Sequence, residues 1–279
     1  MKVNADYVLK EPDYGAAPLP DDLDLILDVN GDKVVGEIYL PSGIYEAPHP
    51  CVIVCHGIPG TNCNDDICQS LRRMGCVVIR LYHRGAWGSS GTYSFSHCME
   101  DAKAAAHWAH DTVAAQYGID TERIFLLGHS NGGNTVLNIT PSLPFIRGTM
   151  VYSPFDHKTG LELLKPDGLM EMFKECSGVL HLESLEALYE DSVTHCENWS
   201  FPGLAKQLQQ RNLLLIGGLK DTVAPPDKMV DPLWEALQKR SSSACHERVM
   251  IDSNHSMNTA RLKLIQVIGE FVEKICKMQ

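Results

Sequence analysis

Short apolar runs rich in β-branched residues alternate along this chain with longer stretches of helical periodicity. The candidate strands are Leu23–Val29, Lys33–Leu40, Cys51–Cys55, Cys76–Tyr82, Arg123–Leu127, Gly148–Tyr152, Asn212–Ile216 and Arg248–Ile251. Asn30-Gly31-Asp32 between the first two is a turn signal, which predicts an antiparallel hairpin. The later strands read as continuous apolar runs (VIV, VVI, FLL, LLLI), the mark of parallel strands buried on both faces. Helical stretches fall near Asp65–Met74, Met99–Tyr117, Asn131–Thr140, Gly203–Gln210, Asp227–Arg240 and Ser256–Cys276. This alternation predicts an α/β fold with a doubly wound, mostly parallel eight-stranded sheet. One interval breaks the rhythm. Residues 155–200 hold no convincing strand, only short helical pieces such as Leu182–Glu190 and a break at Pro166-Asp167-Gly168. The expectation is a short helical lid after strand 6, inserted over the sheet's edge within a single domain spanning residues 1–279.

Composition narrows the function classes. The 279 residues are 44% apolar and 21% charged, which excludes a disordered chain. Twenty-four basic against 35 acidic residues give a net charge of −11. The basic residues are scattered, so no nucleic-acid partner is expected. No uncharged apolar run approaches the roughly 18 residues that span a bilayer, so no membrane partner is expected either. The first residues, MKVNADYVLKEPDYG, carry no apolar signal region, and a cytoplasmic location with reduced thiols is the corresponding expectation. Ten cysteines include no C-x-x-C pair, and several lie inside apolar runs, as buried free thiols do. The spacing of Cys176, His181, His195 and Cys196 matches no structural zinc pattern.

The candidate chemistry starts at Gly128-His129-Ser130-Asn131-Gly132-Gly133, between a strand and a helix. A G-x-S-x-G turn in that context lifts a serine hydroxyl clear of the sheet, and small neighbours make room for the sharp bend. Ser130 is therefore the candidate nucleophile. It needs a base, and the base needs an orienting acid. Sites of open α/β sheets form at the carboxyl ends of strands. His246 precedes its strand, whereas His255 follows it, which makes His255 the candidate base. Three aspartates end strands: Asp221, Asp156 and Asp252. Asp252 is three residues from His255 and badly placed to reach its ring. Asp221, in GLKDTVAPP, is preferred over Asp156, in YSPFD, although a helix N-cap would also explain it.

A tetrahedral intermediate needs two preorganised N–H donors. One is expected from Asn131, after the nucleophile; the other from the loop His56-Gly57-Ile58-Pro59-Gly60. Pro59 has no N–H and biases Ile58 towards an extended backbone, so Ile58 is the candidate. His56 is expected to order that loop. The segment His83 to Gly91 also follows a strand, with small residues after Trp87 that suit a chain passing close to the site. Trp87, Tyr93, Phe95 and Phe155 are candidate pocket residues, although core packing would explain each equally well.

Taken together, HGIPG at 56–60, HRGAWGSSG at 83–91, GHSNGG at 128–133, GLKDTVAPP at 218–226 and DSNHS at 252–256 resemble the α/β-hydrolase superfamily. The similarity runs from about residue 25 to the C-terminus, within the group of serine esterases, cinnamoyl esterases and prolyl-oligopeptidase-like catalytic domains. The resemblance implies a Ser-His-Asp triad, an oxyanion hole and a lid after the sixth strand. A serine nucleophile argues against the dienelactone-hydrolase branch, whose nucleophile is cysteine. The resulting expectation is a serine esterase that cleaves a small-molecule ester substrate through an acyl-enzyme, without metal or cofactor. The alternatives are a short-peptide peptidase or amidase, and a non-catalytic ligand sensor.

Overall fold

A computed structural model describes residues 2–62 and 64–278. Eight strands form one sheet in the order β1-β2-β4-β3-β5-β6-β7-β8. They are β1 (Asp21–Val29), β2 (Asp32–Leu40), β3 (His49–Cys55), β4 (Val77–Tyr82), β5 (Ile119–His129), β6 (Ile146–Tyr152), β7 (Leu213–Gly218) and β8 (His246–Ile251). β2 is antiparallel to both β1 and β4; all the other neighbours are parallel. The helices are α1 (Asp65–Arg73), α2 (Phe95–His107), α3 (Ala114–Tyr117), α4 (Asn131–Ile139), α5 (His157–Ser177), α6 (Leu185–Trp199), α7 (Phe201–Leu208), α8 (Pro226–Met229), α9 (Asp231–Gln238) and α10 (Arg261–Lys277).

The continuous apolar runs have a simple cause. Successive strand residues point to opposite faces, and both faces are covered. Ile53 and Leu126 pack with Ala102 and Ala105 of α2, Val136 of α4, Leu204 of α7 and Leu233 of α9. Val52, Val54, Phe125 and Leu127 pack on the other side, against Ile67 and Leu71 of α1 and Ile268 and Phe271 of α10. The nine described cysteines are free; Cys51, Cys55, Cys68, Cys76 and Cys98 are fully buried, and burial pushes their thiols up. Cys63 lies outside the described residues. Among the described residues, no helix is long and apolar enough to cross a membrane.

Several element limits differ from the pattern-based reading. β5 begins at Ile119, which pairs with His49 across an irregularity; its charged Asp120, Glu122 and Arg123 mask the start. The predicted helix Met99–Tyr117 starts at Phe95, because the Ser94 side chain caps it by accepting from the His97 N–H, and a π turn over Trp108–Thr112 interrupts it. The final helix starts at Arg261 rather than Ser256.

The insertion is more regular than expected. α5 is broken at Lys165, whose φ of 60° precedes Pro166, and α6 runs 15 residues from a Ser184 cap. Leu169, Phe173, Leu188 and Trp199 pack on Tyr93, Phe95 and Phe155. The segment follows β6, which lies between β5 and β7 in the interior of the sheet.

Candidate active site

Ser130 links β5 to α4 with φ 53° and ψ −118°, a backbone region that side chains rarely occupy. Such strain costs about 1–3 kcal/mol and persists only where the surroundings enforce it. Here the close approach of β5, α4 and β3 enforces it. A Cβ on Gly128 would lie 2.2 Å from the Gly132 carbonyl oxygen, and one on Gly132 would lie 2.2 Å from that of Cys55. The Ser130 carbonyl accepts from the N–H groups of Gly133 at 2.9 Å and Phe155 at 3.0 Å, which pins the turn.

Asp221 and His255 follow β7 and β8 and meet there. His255 Nδ1 lies 2.8 Å from Asp221 Oδ2. The other carboxylate oxygen accepts from the backbone N–H groups of Val223 (2.9 Å) and Ala224 (2.8 Å). With its side chain fully buried, Asp221 is thus held with one oxygen aimed at His255. Ser130 and His255 line one cavity of about 220 Å³, together with Ile58, Asn131, Phe95, Phe155, Met172 and Phe173. A larger, open cleft of about 640 Å³ at the amino ends of β5, β6 and β7 contains none of these residues.

The competing acids are occupied elsewhere. Asp156 caps α5 by accepting from the Thr159 N–H at 3.0 Å and holds the far end of the insertion through the Phe201 N–H at 2.6 Å. Asp252 is exposed and pairs with Lys220.

Asn131 is the first residue of α4, where backbone N–H groups have no intrahelical acceptor. Ile58 lines the cavity from the loop after β3. His56 orders that loop: its Nδ1–H donates to the Gly57 carbonyl at 2.6 Å, and its Nε2 accepts from the His83 N–H at 3.1 Å. The loop after β4 is anchored in turn by Arg84, whose Nε and backbone N–H both donate to the buried Asp101. Burial opposes ionisation of Asp101, but His83 and Arg84 outweigh it and hold the carboxyl below its ordinary range.

Phe95 and Phe155 lie in the cavity wall, whereas Trp87 and Tyr93 do not. The Trp87 indole N–H donates to the Pro59 carbonyl at 2.8 Å, which holds the ring 39% exposed outside the cavity. The buried Tyr93 hydroxyl is drawn to the Asn131 side chain, behind Phe95. Cys176 lies in the cavity wall, His181 bonds the Gly91 carbonyl, the Cys196 thiol bonds the Val193 carbonyl, and His195 stacks on Trp199.

Two histidines at the site were not singled out from the sequence. His129 stacks on Tyr152 at 4.3 Å, and its Nε2–H donates to the His255 carbonyl at 3.1 Å, holding the loop that carries His255. Its place inside G-H-S was the available signal. His157 lies in the cavity wall. Burial lowers His56 and His157 to about 3, and burial with His255 nearby holds His129 well below the ordinary imidazole range. These rings stay neutral in the folded chain but take up protons near pH 6.5 once unfolded. Stability is therefore fully present above about pH 6.5 and falls below it, with a slope of up to about 4 kcal/mol per pH unit for three such rings. Urea unfolding is expected to show a clearly lower midpoint at pH 5.5 than at pH 7.5; an unchanged midpoint contradicts this.

The model of a family described as alpha/beta hydrolase fold matches residues 54–218. No curated protein sequence matches the chain. Among solved structures, puromycin hydrolase aligns with a TM-score of 0.70 at 17% identity, over 93% of this chain and 40% of that one. Brefeldin A esterase, a bacterial homologue of human hormone sensitive lipase, aligns with a TM-score of 0.69 at 18% identity, over 94% and 79%. Est1E from Butyrivibrio proteoclasticus aligns with a TM-score of 0.64 at 14% identity, over 91% and 99%. At these identities the structural likeness is one of fold, and it agrees with the family match, which covers more than half of the sequence: the chain belongs to the α/β-hydrolase fold family.

Proposed function

We propose that this hydrolase is a serine esterase acting on small carboxylic esters. The observation that carries this reading is the convergence of a strained Ser130 and an Asp221-bonded His255 on one small cavity. Ser130 Oγ attacks the ester carbonyl while His255 Nε2 takes its proton, and Asp221 holds Nδ1–H and stabilises the imidazolium. The N–H groups of Ile58 and Asn131 receive the alkoxide. Collapse of the intermediate expels the alcohol, which takes the proton back from His255. Water, deprotonated by His255, then attacks the acyl-enzyme, and the acid leaves with Ser130 restored. No step requires a cofactor. The insertion at 155–200 serves as the lid of a single-domain enzyme, and its Met172 and Phe173 supply apolar wall.

The cavity volume sets the substrate size. At about 220 Å³ it falls below the usual 300–1,000 Å³ of drug-sized ligand pockets. p-Nitrophenyl acetate and butanoate are expected to outrun the decanoate by about tenfold or more in kcat/KM. Equal rates across the series contradict a closed acyl site. A peptidase reading has one observation in its favour: Glu175, an exposed carboxylate on the cavity wall, offers a partner for an amine terminus. Parallel assays with aminoacyl p-nitroanilides separate the two. Faster turnover of the anilides than of every ester replaces esterase by peptidase.

A further inference from the structure

The buried His157 has no part in the proton transfers above, yet it stands in the cavity wall and joins the insertion to the nucleophile turn. We propose that His157 is a positioning residue: it holds the Asn131 side chain, and thereby the Asn131 backbone N–H, in the orientation that receives the alkoxide. The inference rests on the esterase reading.

A continuous chain of hydrogen bonds supports it. His157 Nε2 lies 3.0 Å from Asn131 Oδ1, and His157 Nδ1 lies 2.7 Å from Ser192 Oγ. Asn131 Nδ2 donates to the Tyr93 hydroxyl at 3.1 Å. A neutral imidazole has one donor and one acceptor. With Asn131 Oδ1 as acceptor, the assigned tautomer carries its proton on Nε2 and accepts from the Ser192 hydroxyl on Nδ1. Every polar atom of the imidazole and the Asn131 amide is thereby engaged. The ring has little freedom to turn, because Phe95 (4.3 Å), Trp199 (5.5 Å) and Phe155 (5.6 Å) meet it edge-on. Both ends of the chain are rooted in the fold: Ser192 lies on α6, Tyr93 packs in the cluster beneath the insertion, and Asp156 fastens the start of α5 beside His157.

The amide matters because Asn131 is the first residue after a strained turn. Its carbonyl accepts from the Thr135 hydroxyl at 3.1 Å along α4, and its side chain ties it laterally to the insertion through His157. An oxyanion donor must lie within about 2.7–3.1 Å of the alkoxide, and a displacement of about 1 Å costs on the order of a hundredfold. Ser192→His157→Asn131 thus couples the seating of the lid to the electrophilic half of the site.

The test is the rate of reaction with a fluorophosphonate, whose phosphoryl oxygen occupies the oxyanion position, measured beside steady-state ester hydrolysis. His157→Phe is expected to slow phosphonylation and kcat about 10- to 100-fold, with KM changed less than about threefold. His157→Gln, which keeps an N–H donor towards Asn131, is expected to recover most of the loss. Asn131→Ala should lose as much as His157→Phe, and the double variant should lose no more than either, since both remove one interaction. Asn131→Ala leaves the ring packing untouched and carries the test if the phenylalanine variant does not fold. Wild-type rates in His157→Phe or Asn131→Ala, no recovery with Gln, or additive losses overturn the proposal. A wild-type protein that neither reacts with the probe nor hydrolyses esters overturns the esterase reading itself, and this inference with it.

Discussion

Replacing Ser130 by alanine is expected to lower kcat on the best p-nitrophenyl ester by about a millionfold while the melting temperature stays close to wild type. The size follows from cooperation among the three groups. A base without a nucleophile, or a nucleophile without a base, retains only what the oxyanion donors and binding contribute. Fold is spared because the Ser130 contacts that pin the turn are made by its backbone: its carbonyl accepts from Gly133 and Phe155, and its N–H faces the Tyr152 carbonyl at 3.3 Å. The left-handed φ is as tolerable to alanine as to serine. A loss of less than about tenfold would remove Ser130 from the chemistry.

Asp221→Asn is expected to lower kcat about 10,000-fold with little change in fold. An asparagine can still accept from Val223 and Ala224 through its carbonyl oxygen, so the loop keeps its shape. Its amide N–H group then faces His255 Nδ1, which must accept rather than donate. The proton moves to Nε2, where the ring can no longer take one from Ser130. Asp156→Asn provides the contrast. That carboxylate accepts from the Thr159 and Phe201 N–H groups, and burial raises it above the ordinary carboxylate range, opposed by the backbone N–H groups of Phe201, Thr159 and Lys158. Its loss is expected to cost about 1–3 kcal/mol of stability, because one buried donor faces an amide in place of an oxygen. Steady-state kinetics and urea unfolding on both variants check the pair. Asp156→Asn as crippled as Asp221→Asn would reopen which carboxylate orients the base.

Much of the site is legible in one dimension because its geometry is local or follows from strand direction. The turn at Ser130 needs glycine at 128 and 132 for steric reasons that act within a few residues and one neighbouring strand, so the requirement is written into the motif. His255 separates from His246 because sites of parallel sheets form at the carboxyl ends of strands: His246 opens β8 at its amino end, and His255 follows its carboxyl end. The insertion and the cavity wall were less legible because side-chain direction there is decided by distant partners. Trp87 turns outward towards the Pro59 carbonyl, 28 residues away, and Tyr93 turns inward to Asn131, 38 residues away. His157 and Ser192 are 35 positions apart, with no periodicity linking them. The regularity of α5 was hidden by Pro166, a residue that ends most helices; here one non-helical residue, Lys165, absorbs the break and the helix resumes.

The most direct test is to label the purified protein with a fluorophosphonate and map the modified residue by peptide mass spectrometry. A single adduct on Ser130 is expected, formed at a rate that His255→Ala abolishes. An actively ester-hydrolysing protein labelled on another residue, or labelled at Ser130 equally fast without His255, would contradict it.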